Sequence, residues 1–177
     1  MIKHFFIIYA LLSMLTISHA GLKDSFCVAH RGNSSEELEN SHASILSAAK
    51  LGVGAIEFDI QHTSDGVALI NHDKELKRTV FEDSHCDVNT PIIKQLYKDI
   101  EHCRLKNNET IPLFSQIVKD LKPYPVKLFI EYKSEPTINE IKILSELYSD
   151  QPERIYFISF SEDYLDKIIN WRKDFPF

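Results

Sequence analysis

The sequence predicts an α/β fold built on a mainly parallel sheet, and three observations lead there. Strand-like and helix-like stretches alternate along the chain from Phe26 to its last residues, which is the pattern of successive βα units. No repeat, low-complexity tract or linker divides the stretch from Gly21 to Phe177, so one domain with one sizeable core is expected. Polar residues gather near the ends of the strand-like stretches, where α/β barrels carry their chemistry.

The first twenty residues are set apart from this pattern. Lys3 and His4 precede an apolar run, Phe5 to Ile17, broken only by Ser13 and Thr16, and Ser18-His19-Ala20 offers small residues at a cleavage site. This reads as a signal peptide, residues 1–20, and predicts a secreted or periplasmic protein. The run is shorter than the roughly 20 apolar residues of a membrane span.

The elements follow in order. Phe26 to Ala29 is a short apolar strand. Asn40 or Ser41 caps a helix that runs to Leu51, with Gly52 as its stop. Ala55 to Ile60 alternates, placing Ile56, Phe58 and Ile60 on one side and Glu57 and Asp59 on the other. Thr63-Ser64-Asp65-Gly66 is a turn and Val67 to Asn71 the third strand. The link is too short for a helical crossover, so it is either an extended crossover or a hairpin. A hairpin centred on the turn sets Glu57 opposite His72. Thr90-Pro91 opens a helix whose stripe is Ile93, Leu96, Tyr97 and Ile100. Phe114, Ile117, Val118 and Leu121 repeat that spacing. Val126 to Tyr132 is the fourth strand, and Ile138, Ile141, Leu144 and Tyr148 mark the next helix. Arg154 to Phe160 is the fifth strand, and Leu165, Ile168 and Ile169 belong to the last helix.

The formal charge of −6 and the scattered basic residues exclude a nucleic-acid binder, because phosphate polymers reward clustered Lys and Arg. Membrane contact is not indicated beyond the signal segment. Cys86 and Cys103 flank one predicted helix in polar surroundings and form the natural disulfide pair. Cys27, in an apolar strand, is expected to be a small buried hydrophobe.

Glu57 and Asp59 project from one face of a strand, about 6.6 Å apart at the usual rise. Carboxylates so placed repel each other and resist burial unless a cation neutralises them; a solvent-facing edge strand is the plain alternative. Glu131 and Lys133 share the same parity near the end of the fourth strand. Three carboxylates from two strands make an oxygen-rich site suited to a hard divalent metal ion, Ca²⁺ or Mg²⁺. His30 and His72 end the first and third strands and are candidates for proton transfer. Arg31 offers a fork matched to phosphate. The remaining histidines, His42, His62, His85 and His102, read as helix or turn residues at the surface. There is no G-x-x-x-x-G-K-[ST] or G-x-G-x-x-G loop for a nucleotide and no G-x-S-x-G elbow for a serine hydrolase. Metal-assisted phosphodiester hydrolysis fits this inventory.

The ordered motifs resemble those of the glycerophosphodiester phosphodiesterases. They are His30-Arg31-Gly32, Glu39-Asn40-Ser41, Glu57-Phe58-Asp59, Thr63-Ser64-Asp65-Gly66, His72-Asp73, Leu76-Lys77-Arg78-Thr79, Ile111-Pro112-Leu113, Ile130-Glu131-Tyr132-Lys133 and Ile158-Ser159-Phe160. The resemblance implies an irregular TIM barrel, here ending after about five βα units of the eight in a complete one. It implies hydrolysis of a small glycerophosphodiester substrate to glycerol 3-phosphate and an alcohol. Glu57, Asp59 and Glu131 would be the metal ligands and His30 and His72 the acid and base. Arg31 and Lys133 would bind the substrate phosphate, with Glu39 and Asn40 in support. A relative that has lost turnover and a phospholipase acting on intact lipids are the alternatives. A chain of five such units is expected to have an exposed sheet edge.

Overall fold

The computed structural model describes residues 26–82 and 85–175; the signal-peptide expectation lies outside the described residues. Four strands are hydrogen-bonded side by side in parallel: β1 (Val28–His30), β2 (Ala55–His62), β4 (Lys127–Tyr132) and β5 (Ile155–Ile158), in the order β1-β2-β4-β5. The remaining strand, β3 (Ala68–Ile70), pairs antiparallel with β2. The short link between β2 and β3 is therefore a hairpin. Its register sets Ile60 opposite Ile70, one residue away from a pairing that would face Glu57 with His72. Thr63 accounts for the turn: its hydroxyl donates to Asp65 Oδ1 at 2.6 Å and accepts from the Val67 N–H at 3.0 Å. Gly66 supplies the positive φ, +80°, that closes it.

The helices are α1 (His42–Lys50), α2 (Tyr97–Ile100), α3 (Phe114–Leu121), α4 (Ile138–Tyr148) and α5 (Glu162–Asp174). Ser41 caps α1, its side chain accepting from the Ser44 N–H. Thr137 and Glu140 form a capping box at the start of α4. On one side of the sheet, Ile56, Phe58, Ile60, Leu128 and Ile130 are fully buried with Ile45 of α1, Ile117 and Val118 of α3, and Ile141 and Leu144 of α4. This is the alternation predicted for β2 and β4, and it makes an open, irregular part of a TIM barrel. Arg154 closes the lower end of the core. Its guanidinium donates to the carbonyls of Val126 (2.9 Å), Leu121 (3.1 Å) and Lys122 (3.2 Å), groups left over at the end of α3 and the start of β4.

A second apolar cluster, with Leu76, Val80, Val88, Ile92, Ile100 and Leu105, lies in the segment between β3 and α3. The Cys86–Cys103 disulfide belongs to it, with a Cα–Cα distance of 5.5 Å. The single helix expected after Pro91 is absent from this region. Ile92–Lys94 is a 3₁₀ turn, Gln95 is extended, and α2 is only four residues long. The cause is the buried Gln95 side chain. Its Nε2 donates to the Thr90 and Asp87 carbonyls, while the Gln95 backbone carbonyl accepts from the Ser64 N–H and Oγ. Two members of the expected stripe, Ile93 and Leu96, are exposed as a result.

Two further expectations fail. Cys27 is exposed, because it precedes β1, an edge strand with a neighbour on one side only. His62 is 2% exposed rather than at the surface. β2 continues two residues past Ile60, and His62 Nδ1 lies 2.7 Å from Ser134 Oγ, with Nε2 3.3 Å from Glu140 Oε2.

Candidate metal and phosphate site

The parallel register stacks the candidate residues in rows on the face of the sheet opposite the helix-covered core. His30, Glu57 and Phe129 share one row, and Asp59 and Glu131 the next row toward the strand C-termini. Glu57, Asp59 and Glu131 each offer a carboxylate oxygen within 4.8 Å of the other two, and all three residues are buried. The three predicted ligands therefore converge.

Two basic side chains lean into the cluster. Lys133 Nζ donates to Glu131 Oε1 at 2.6 Å and lies 3.3 Å from Asp59 Oδ1. Arg31 Nε lies 3.2 Å from Asp59 Oδ2, without the alignment of a hydrogen bond, and its Nη1 donates to Glu39 at 2.9 Å. The Arg31 N–H donates to Glu57 Oε2 at 3.1 Å. Burial, then the Asp59 charge, pushes the Glu57 carboxyl up to about 7. Burial works to lower the Lys133 ammonium, but its bond to Glu131 and the Asp59 charge hold it above the usual lysine value.

The donor set fits a hard divalent cation on observations of this chain. Glu57 Oε1 and Asp59 Oδ1 are buried atoms without a hydrogen-bond partner among the described residues, a costly state that a cation would relieve. Three carboxylates stand against two basic groups, one of which, Arg31, is shared with Glu39, so the cluster is net acidic. Oxygen-only ligands are the donor set of a hard divalent cation.

The H-R-G step is shaped by this cluster. Arg31 has φ +59° and Gly32 φ +82°. A Cβ on Gly32 would meet Ser44 Oγ at 2.4 Å and the Ser44 carbonyl carbon at 2.6 Å. The left-handed Arg31 is held from both sides: its carbonyl accepts from Ser44 Oγ (2.9 Å) and the Asn40 N–H (3.0 Å), and its N–H reaches Glu57. Asn40, also left-handed at φ +56°, donates Nδ2 to Asp59 Oδ2 at 2.8 Å. The E-N-S step thus serves Arg31, Asp59 and the α1 cap in turn.

The two histidines differ in setting. The His30 side chain is 66% exposed, its Nε2 3.8 Å from Glu57 Oε2. His72 is half-buried and tied through Nδ1 to Asp73 Oδ1 at 2.7 Å. Asp73 Oδ2 accepts from Arg78 Nε at 2.6 Å, and Arg78 Nη1 lies 2.7 Å from Glu39 Oε2. An unbroken chain of close polar contacts therefore runs from His72 through Asp73, Arg78, Glu39 and Arg31 to Asp59. The Arg78 bond, despite partial burial, holds the Asp73 carboxyl below its ordinary value. Burial opposes ionisation of Glu39, but Arg78 and Arg31 keep it low as well. Sequence reasoning left Arg78 without a role; its signal was the L-x-R-T step six residues behind His72.

With this geometry in view, the chain can be set beside known proteins. Residues 30–174 match the model of the glycerophosphoryl diester phosphodiesterase family. Over 146 residues the chain is 31% identical to glycerophosphodiester phosphodiesterase 1 of Mus musculus and of Homo sapiens, an overlap covering 80% of this chain and 43% of each relative. It thus spans about half the length, or less, of these relatives. Among solved structures, a glycerophosphodiester phosphodiesterase from Agrobacterium tumefaciens superposes with a TM-score of 0.72 at 22% identity, covering 84% of this chain and 63% of the other. An Oleispira antarctica phosphodiesterase in complex with the product sn-glycerol-3-phosphate gives 0.67 at 25% identity, covering 84% and 62%.

Proposed function

The chain belongs to the glycerophosphoryl diester phosphodiesterase family, and from that premise we propose that it hydrolyses a glycerophosphodiester to glycerol 3-phosphate and an alcohol with one Ca²⁺ or Mg²⁺ ion. The observation that carries this is the convergence of Glu57, Asp59 and Glu131 within 4.8 Å on a buried face, beside Arg31, Lys133 and the two histidines.

Glu57, Asp59 and Glu131 would hold the ion, which when bound supplies Lewis-acid polarisation of a phosphoryl oxygen. Arg31 and Lys133 would grip the remaining phosphoryl oxygens and offset the charge that grows in the transition state. The Asp73 carboxylate, 2.7 Å from His72 Nδ1, would favour the tautomer with its proton there, which would leave Nε2 as the atom that takes or gives the catalytic proton. His30 would act as the complementary proton carrier: one imidazole removes a proton from the attacking water, whose oxygen bonds to phosphorus as the P–O bond to the alcohol breaks, and the other protonates the departing alcohol oxygen. Export through a signal peptide at residues 1–20 belongs to the same reading.

The test is product analysis by ³¹P NMR after incubating the chain with glycerophosphoinositol and divalent metal. Glycerol 3-phosphate is the expected product. Release of inositol phosphate instead, or no cleavage at all, would contradict the proposal.

A further inference from the structure

Beside the carboxylate cluster lies a cavity of about 420 Å³ that the reaction as described does not use. Its lining includes Gln61 and Ser134, buried polar residues, and three lysines, Lys74, Lys94 and Lys133. Two links join it to the candidate site. Lys133 also touches Glu131 and Asp59, and Gln61 Nε2 donates to the His72 carbonyl at 3.1 Å. The Lys74 and Lys94 side chains make no ion pair or hydrogen bond among the described residues. The single acidic residue of the lining, Glu135, is already paired with Lys167.

We infer that this cavity receives the alcohol side of the substrate and selects a head group that itself carries negative charge, a second phosphate or a carboxylate. The inference rests on the phosphodiesterase reading. A phosphate held by Lys133 has two substituents. One is glycerol, which is neutral and forms no ion pair with an ammonium group. The other is the variable alcohol, and an anionic one adds ion pairing to the hydrogen bonds that Lys74 and Lys94 can donate. The volume lies within the usual range for small-molecule sites and suits a polyol-sized head group. Because the chain as a whole is at −6, its overall field repels such a ligand, so any preference for it must come from local groups. A cationic head such as choline would face like charge in the cavity.

The experiment is equilibrium binding of glycerophosphoinositol 4-phosphate and of glycerophosphocholine, at one ionic strength and in excess Ca²⁺. Both are titrated into a His72→Ala chain so that turnover does not consume them. The anionic diester is expected to bind about tenfold tighter, the size of one charge-assisted hydrogen bond. Lys74→Gln with Lys94→Gln should remove that preference. Lys50→Gln with Lys119→Gln, an equal charge change elsewhere, should keep it. Equal affinities, a preference that survives in the Lys74/Lys94 variant, or its loss in the control would each overturn the inference. Turnover of both diesters by the unmutated chain separates the two readings. If neither is hydrolysed while the lysine-dependent preference stands, the catalytic reading falls and takes the assignment of the cavity to a substrate's alcohol with it, while its anion selectivity stands. Hydrolysis without any preference has the opposite meaning.

Discussion

His72 and Glu57 show how far single residues depend on what surrounds them. Asp73 orients His72, and Arg78 orients Asp73 while also holding Glu39, so Arg78 acts on both flanks of the site. Replacing His72 by Ala should lower kcat by about two orders of magnitude or more with little change in substrate affinity; near-normal turnover would remove it from the mechanism. Arg78→Met should lower kcat less than His72→Ala, and Arg78→Lys should restore part of the loss, since an ammonium keeps the charge without the fork. Steady-state kinetics of the three variants checks that order. Glu57 makes a contribution of its own to the pH dependence of the metal-free chain, opposite in sign to that of Glu39 and Asp73. Its folded pKa, about 7, stands above the ordinary value of 4.5. The stability it contributes is therefore complete below about 4.5 and is lost as pH rises through about 7. In chelator, Glu57→Gln should melt at a higher temperature than the unmutated chain at pH 8, by up to about 3 kcal/mol of stability, and the gap should narrow toward pH 5. A Gln variant less stable at pH 8 would contradict this account of the cluster.

Among the elements, the strands were more legible in the sequence than the segment that packs across them. β2 and β4 announce themselves through alternation, and register then carries Glu57, Asp59 and Glu131 together. The same alternation made the carboxylates visible as candidates before any geometry. The segment between β3 and α3 was misread because its shape is set by hydrogen bonds of one buried side chain, Gln95, which no apolar spacing encodes. His62 was misplaced for a related reason. Its burial depends on Ser134 and Glu140, more than seventy residues away in sequence, and a lone histidine after a strand carries no sign of them. Cys86 and Cys103 were paired from their positions around a helix that is in fact broken; the pairing holds because both halves close on one apolar cluster. Two element-level outcomes are expected. Gly32→Ala should cost about 2 kcal/mol or more, because it adds a clash with Ser44 to a left-handed backbone. Cys86→Ala with Cys103→Ala should cost about 3 kcal/mol for a loop of this length. Urea melts measure both, and losses below about 0.5 kcal/mol would contradict the roles given to them.

Over the whole molecule, the sheet separates two tasks. One face is closed by α1, α3 and α4 and supplies the core; the other carries the carboxylate cluster of Glu57, Asp59 and Glu131, with His30 at the end of β1 in the same row as Glu57. The edge strands β1 and β5 are less covered, and Phe26, Val28 and Tyr156 near them are exposed, as the expectation of an open sheet anticipated. We propose that three buried carboxylates on this sheet form one divalent-cation site on which phosphodiester hydrolysis depends. The decisive measurement strips the chain with chelator and adds back Ca²⁺ or Mg²⁺ while following glycerol 3-phosphate release, with Glu131→Gln in parallel. Activity should disappear with the metal, return on its addition with one ion per chain, and stay at least about a hundredfold lower in the variant at the same metal concentration. Activity that survives exhaustive chelation, or a Glu131→Gln chain that responds to metal as the unmutated one does, would contradict it.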